Sequence, residues 1–328
     1  MKRILLLWHT QNNNFGDVLI YETVRTFLVN CGMKTAYLDV GVSCDEIFNE
    51  ANKYDFLLFA GGGIIERYIP EVIRKFKANY NKLCVPYGVI GLSVGNFDYS
   101  RYREELEFWI ANSSFFYTRD LYTASKLKFL CNTNKIQEGV DVVWANNRIC
   151  MKDVKRHQLK GINVRDVPYI DIQGDIHWEN LKKIIKKLEI SHEICDESQK
   201  SEEVNLLDSK QAVPYSVNTT LEQIWNCRII VAMRYHVILV AAANGIPVIS
   251  IKYCQKIEEL TKQIKLECYA VNIDEIDKIE KKFYALQQCI EEENIRLKEL
   301  YLKMKKEAEK MLETVGKIIN DVEGKSYE

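Results

Sequence analysis

The sequence predicts an α/β fold of two Rossmann-like domains, each a parallel sheet covered by helices on both faces, followed by a long C-terminal helical segment. Three observations carry that expectation. Near-continuous apolar runs such as Tyr54–Ala60 (YDFLLFA) and Arg228–Met233 (RIIVAM) alternate with helical patterns of about 10–15 residues, as in sheets buried on both faces. At 328 residues the chain is about twice a typical single domain. Glycine-rich or polar punctuation falls where successive strands should end, as in Gly61-Gly62-Gly63.

In chain order, Arg3–His9 reads as a strand and a polar, Asn-rich loop follows. Leu19, Ile20, Val24, Phe27 and Leu28 then recur at helical spacing over Val18–Asn30. Thr35–Val40 is a strand, Asp45–Lys53 a short helix, and Tyr54–Ala60 a buried strand. A helix over Pro70–Asn79 leads to a strand over Leu83–Gly91. Arg101–Ala111 and Asp120–Leu130 read as helices on either side of a strand at Phe115–Thr118. This first domain spans residues 1–150, and the polar, basic stretch Asn146–His157 is the linker candidate. The second domain, residues 158–272, opens with a strand at Gly161–Val164, a helix at Trp178–Leu188 and a strand at Ile190–Cys195. Thr220–Asn226 is a helix and Arg228–Met233 a strand. A helix over Tyr235–Asn244 ends at Asn244-Gly245, and Ile246–Ile251 follows as a strand. Lys256–Lys265 is helical and Tyr269–Val271 is a last strand. Residues 273–328 carry Ile279, Phe283, Leu286, Ile290, Ile295 and Leu297 at helical intervals. That segment is either a solvated amphipathic helix or one that crosses back to brace the first domain.

Composition excludes several classes. Apolar residues are 47% and charged residues 28% of the chain, a well-folded composition, and the formal charge of −1 argues against a nucleic-acid surface. The apolar start breaks at His9, too early for a signal sequence, and Val237–Ile251 is interrupted by Asn244, Gly245 and Pro247. No integral membrane segment is therefore expected, and the protein reads as cytoplasmic. The ten cysteines show no CxxC spacing, which favours buried reduced thiols over zinc or disulfides; no ligand cluster calls for a metal.

Ligands of open parallel sheets bind at the carboxyl ends of strands. Asn14, Gly16 and Asp17 open the first helix, where backbone N–H groups suit an anion or a sugar hydroxyl, or where Asp17 merely charges the first turn. Gly62 and Gly63 follow a buried strand, either as a ligand approach or as a plain turn; the run is neither GxGxxG nor a P-loop. Ser93 stands at another strand end, and Arg119 with Asp120 at the next, where a local ion pair and cap is the simpler alternative. The densest group is in MRYHVILVAAANGIPVISIKY: Arg234 emerges from a buried strand, His236 falls in the first helical turn, and Lys256 follows the next strand. Arg165 ends the first strand of the same domain. Cations at consecutive strand ends are costly to bury without an anion, and guanidinium forks suit carboxylate or phosphate. A small polyanion is the implied ligand, and His236 is the candidate for proton transfer.

The series NFGDVLI, FAGGGII, GLSVG, TRDLYTASKL, VDVVW, GINVR and MRYHVILVAAANGIPVISIKYCQKI, running from residue 14 to 257, resembles the polysaccharide pyruvyl transferases. The resemblance implies a GT-B-like fold with the site in a cleft between the domains. It also implies pyruvyl transfer from phosphoenolpyruvate to a sugar of a cell-surface polysaccharide or its lipid-linked precursor, with release of phosphate and no cofactor. Arg165, Arg234 and Lys256 would hold the donor, with His236 and Arg234 acting in catalysis. Asn14, Gly16, Asp17, Gly62, Gly63, Ser93 and Arg119 would face the acceptor, and a lipid-linked acceptor would bring peripheral association with the inner face of the membrane. The competing reading is a GT-B nucleotide-sugar glycosyltransferase or epimerase. A binding or scaffold protein is the non-enzymatic alternative, but it has no need of Arg234, His236 and Lys256.

Overall fold

A computed structural model describes residues 1–9, 14–64, 73–95, 98–150, 159–164, 178–196 and 215–322. The chain forms two compact units, one comprising Met1–Gln11, Asp17–Ala145 and Lys305–Glu328, the other Asn12–Gly16 and Asn146–Met304.

The first unit is built from β1 (Arg3–Trp8), α1 (Phe15–Asn30, from Asp17 onward), β2 (Lys34–Asp39), α2 (Cys44–Ala51), β3 (Phe56–Gly62), α3 (Lys75–Asn79), β4 (Tyr87–Leu92), α4 (Arg103–Asn112), β5 (Phe116–Thr118), α5 (Leu121–Cys131) and β6 (Ile136–Glu138). Its six-stranded sheet has the order β2-β1-β3-β4-β5-β6, and every pairing is parallel. Interior position explains composition. All residues of β3 and β4 are buried, whereas edge strand β2 leaves Tyr37 exposed. Helices on the sheet contribute buried aromatics, among them Phe48, Phe76 and Trp109, and the Tyr87 hydroxyl donates to the Trp109 carbonyl at 2.6 Å.

The second unit contains β7 (Leu159–Asn163), α6 (Trp178–Lys187), β8 (His192–Glu193), α7 (Val217–Trp225), β9 (Cys227–Ala232), α8 (Tyr235–Ala243), β10 (Val248–Lys252), α9 (Gln255–Gln263), β11 (Ala270–Asn272) and α10 (Ile279–Gln288). Its parallel five-stranded sheet has the order β11-β10-β9-β7-β8, so β9 lies at the centre between β7 and β10. Helix α8 is apolar almost all round and buried except at His236, as a helix enclosed by the core must be.

Helix α11 (Ile290–Asp321) is 32 residues long. Its residues through Met304 group with the second unit and those from Lys305 with the first. Leu297, Tyr301 and Met304 are buried in the first stretch, and Met311, Leu312, Val315 and Ile319 in the second. Of the apolar positions read from the sequence, Ile295 is the one left at the surface, 61% exposed.

Several expectations change. Helix α1 begins at Phe15 rather than Val18, because Asn14 accepts the Gly16 N–H at 3.0 Å and so caps it. Strand β6 has no counterpart in the sequence reading: it is three residues long, and two of them are exposed and polar. The strand expected over Ile190–Cys195 shortens to His192–Glu193, at the sheet edge. Residues 70–72 of the helix expected over Pro70–Asn79 lie outside the described residues, as do 151–158. The part of the expected linker that is described is fixed, since Trp225 Nε1 and Asn244 Nδ2 both donate to the Ile149 carbonyl, at 3.2 and 2.8 Å. The cysteines are free thiols, yet only Cys44, Cys131 and Cys227 are buried and Cys31, Cys84 and Cys268 are exposed. Burial pushes the Cys227 thiol up to about 12.

Candidate functional site

In the second unit the site grows from the carboxyl ends of β7, β8 and β9. Strand β7 ends at Asn163, fully buried, whose carbonyl accepts the Met233 N–H at 2.9 Å and whose Oδ1 accepts the Arg234 N–H at 3.3 Å. Arg234 therefore leaves β9 in an extended conformation and becomes the N-cap residue of α8. Its Nε donates to Asp196 Oδ2. Asp196 is held at two further points: Asn163 Nδ2 donates to Oδ1 at 3.3 Å, and the Phe15 N–H donates to its carbonyl at 3.1 Å. The chain leading into it is tied to α7, with the Cys195 N–H on Gln223 Oε1 at 3.0 Å and the Thr220 hydroxyl on the Cys195 carbonyl.

His236 lies in the first turn of α8, half-buried, with its ring edge-on to Tyr235. Gly16 is packed against the imidazole so closely that a Cβ there would overlap Nδ1, Cε1 and Cγ. Asn14 and Gly16, expected with the first domain, thus group with the second unit and with His236. Lys256 stands in the first turn of α9, half-buried, after neighbouring strand β10. Arg165 lies outside the described residues.

The arrangement is a cation and an imidazole at a helix N-terminus, where backbone N–H groups and the helix dipole already favour an anion. Asp196 and Asn163 were not singled out from the sequence. The available signal was an acidic residue just after a strand, in EICDES, but its partner is 38 positions away.

The remaining predicted residues belong to the first unit. Asp17 follows Gly16 in the first turn of α1, and its Oδ1 is 3.4 Å from the place a Gly62 Cβ would take. Gly62 has φ +76°, a conformation in which a side chain is strained. Gly63 follows it, half-buried. The Gly62 carbonyl accepts the Ser93 N–H at 3.0 Å, and Ser93 is fully buried.

Arg119, only 3% exposed, stands between two carboxylates: Nε is 3.8 Å from Asp120 and Nη1 3.6 Å from Asp141. Asp120 also caps α5 by accepting the Thr123 N–H at 2.7 Å, and Asp141 accepts the Val143 N–H at 2.9 Å. The ion pair and cap foreseen as the simpler alternative is present, extended by Asp141. Removing Arg119 leaves two buried carboxylates without their cation. Arg119→Ala is therefore expected to cost about 3–5 kcal/mol of stability, read as a lower midpoint in urea, whatever its effect on activity.

His192 Nε2 lies 3.1 Å from the Gln223 carbonyl, and burial lowers its pKa from the ordinary 6.5, against a smaller opposing push from that carbonyl. The unfolded chain therefore takes up the proton first on acidification. The stability His192 contributes is whole above the ordinary value and is lost as pH falls through 6.5 toward the lower folded value. Melting at about pH 7.5 and about pH 5.5 should show a drop that His192→Gln reduces.

Among the described residues no His, Cys, Asp or Glu group is placed to hold a metal ion, and no helix is long and apolar enough to cross a membrane.

The model of the polysaccharide pyruvyl transferase family matches residues 14–255. No curated protein sequence matches the chain. Among solved structures, a UDP-N-acetylglucosamine 2-epimerase described as putative, from Listeria monocytogenes, aligns with TM-score 0.63 at 10% identity, over 98% of this chain and 97% of that one. The UDP-GlcNAc 2-epimerase from Neisseria meningitidis bound to UDP-GlcNAc gives 0.60 at 13% identity, over 96% and 100%. An α-glucosyltransferase in complex with UDP and a 13-mer DNA gives 0.57 at 10% identity, over 98% and 100%. At such identities the likeness establishes the fold, which is GT-B-like α/β with two parallel sheets and a long C-terminal helix.

Proposed function

Because the chain belongs to the polysaccharide pyruvyl transferase family, whose model covers residues 14–255, we propose that it takes the pyruvyl group from phosphoenolpyruvate and builds it as a ketal onto two hydroxyls of a sugar. The sugar belongs to a cell-surface polysaccharide or its lipid-linked precursor, and inorganic phosphate is released. The observation that supports the donor most is Arg234, buried at the N-terminus of α8 with His236 two positions on, in the first helical turn.

Phosphoenolpyruvate carries a carboxylate and a phosphate, the anions a guanidinium fork and a helix N-terminus bind best. In the first half-reaction the methylene carbon of the enol is protonated and C2 becomes oxocarbenium-like. One sugar hydroxyl attacks C2 and gives up its proton. The second hydroxyl then attacks C2 as the C2–O bond to phosphate breaks, which closes the ketal ring and yields phosphate. His236 supplies or removes protons at these steps. Arg234, with Arg165 and Lys256, holds the donor anions and offsets the charge that grows on the departing phosphate. Asn14 and Gly16 lie beside His236, and in this reading they present the acceptor hydroxyl to it. Asp17, Gly62, Gly63, Ser93 and Arg119 belong to the acceptor side. The reaction requires no cofactor and belongs in the cytoplasm, at the inner membrane face when the acceptor is lipid-linked.

The deciding experiment is phosphate release from phosphoenolpyruvate with a panel of soluble and lipid-linked glycans. Acceptor-dependent phosphate and a product heavier by one pyruvyl ketal are expected. No release with any acceptor, together with a thermal shift on UDP-sugars and none on phosphoenolpyruvate, would make the chain a nucleotide-sugar enzyme instead.

A further inference from the structure

The pair formed by Asp196 and Arg234 sets an anion-binding guanidinium directly against a carboxylate. Both side chains are shielded, 13% and 8% exposed. Asn163 braces the pair from both ends, through Nδ2 on Asp196 Oδ1 and through Oδ1 on the Arg234 N–H. Two consequences follow from ordinary electrostatics. A guanidinium whose Nε is taken by a carboxylate is held in one orientation. Its pull on an incoming anion is also reduced, because the carboxylate repels the same anion at short range in a poorly hydrated setting. The same residue reaches the proton-transfer group, since its carbonyl takes the Phe15 N–H and so fixes the turn that lays Gly16 on His236.

We propose that Asp196 is a positioning residue with a double role. It orients Arg234 for the donor, and it weakens the hold of the site on the phosphate left behind, so that product departs. The inference rests on the preceding reading only in taking the ligand to be a small phosphate-bearing anion.

Asp196→Asn keeps the shape and an oxygen acceptor for Arg234 Nε but removes the charge, and with it the acceptor for Asn163 Nδ2. Calorimetric titration of the purified protein with inorganic phosphate is expected to show about tenfold tighter binding in this variant. Steady-state assays with phosphoenolpyruvate and acceptor should show KM and kcat both falling, kcat by about tenfold, as release becomes slow. A merely structural role would leave phosphate affinity unchanged or weaken it. Asp196→Glu is the second variant: it keeps the charge but shifts the carboxylate by a methylene, so kcat should fall while phosphate affinity stays at the wild-type level. Unchanged or weaker phosphate binding by Asp196→Asn, tighter binding by Asp196→Glu, or no phosphate binding by any form would overturn the proposal. Phosphate titration needs neither acceptor nor turnover. A protein that binds phosphate as described and yet fails to consume phosphoenolpyruvate would sink pyruvyl transfer and leave the role of Asp196 standing.

Discussion

Gly16→Ala is expected to lower kcat at least about a hundredfold while the protein stays folded. The added methyl would fall within the imidazole of His236, so one of two things must give. Either the ring turns out of its present position, or the turn at residues 14–16 lifts away and breaks the Asn14 cap and the Phe15 bond to Asp196. The first displaces the imidazole proposed for proton transfer and the second displaces Asn14 and Gly16 from beside it, each by about an ångström or more, and misplacement of that size costs about a hundredfold in rate. Overpacking of this kind costs about 1–3 kcal/mol of stability, which lowers the melting temperature by a few degrees without unfolding the protein. The checks are kcat, the melting curve, and the His236 ring signal in a histidine-labelled NMR spectrum. An alanine variant with wild-type kcat would remove His236 from the chemistry.

Arg234→Ala should reduce kcat/KM by about a thousandfold or more and abolish any thermal shift on phosphoenolpyruvate, because the two roles proposed for it, donor binding and leaving-group stabilisation, would be lost together. It also strands Asp196, so a part of the loss is structural. The double variant Arg234→Ala/Asp196→Asn separates the two effects: it should recover stability and no activity. Arg234→Lys keeps a charge without the planar fork and should recover only a minor fraction. Normal donor affinity in Arg234→Ala would move the anion site elsewhere in the chain.

How much of this is legible in the sequence depends on range. Strands β1, β3 and β9 are buried on both faces over most of their length, so each carries a near-continuous apolar run that stands out from its surroundings. Helix α8 and its Asn244-Gly245 end are equally plain. The strand-end rule places Arg234 and His236 at the end of β9 and the start of α8, where the structure has them, because it needs only the order of elements along the chain. It could not supply their neighbours. Asp196 meets Arg234 across 38 positions because β8 and β9 both flank β7, and Gly16 reaches His236 across 220 positions. Such contacts depend on strand order, which local spacing does not encode. Arg119 shows the same limit: Asp120 is adjacent, but Asp141 enters from beyond β6, a strand too short and polar to announce itself.

The placement of α11 bears on how the protein is made. The first unit includes Lys305 onward, and Met311 packs where Gly139 leaves no room for a side chain, while Gly316 lies against Phe27. During synthesis the amino-terminal sheet emerges early and must wait, its last helix still untranslated, until the other unit has been threaded out. A ribosome-bound chain stalled at residue 150 should therefore be protease-sensitive, and a stretch of nascent chain that long is a natural client for a chaperone.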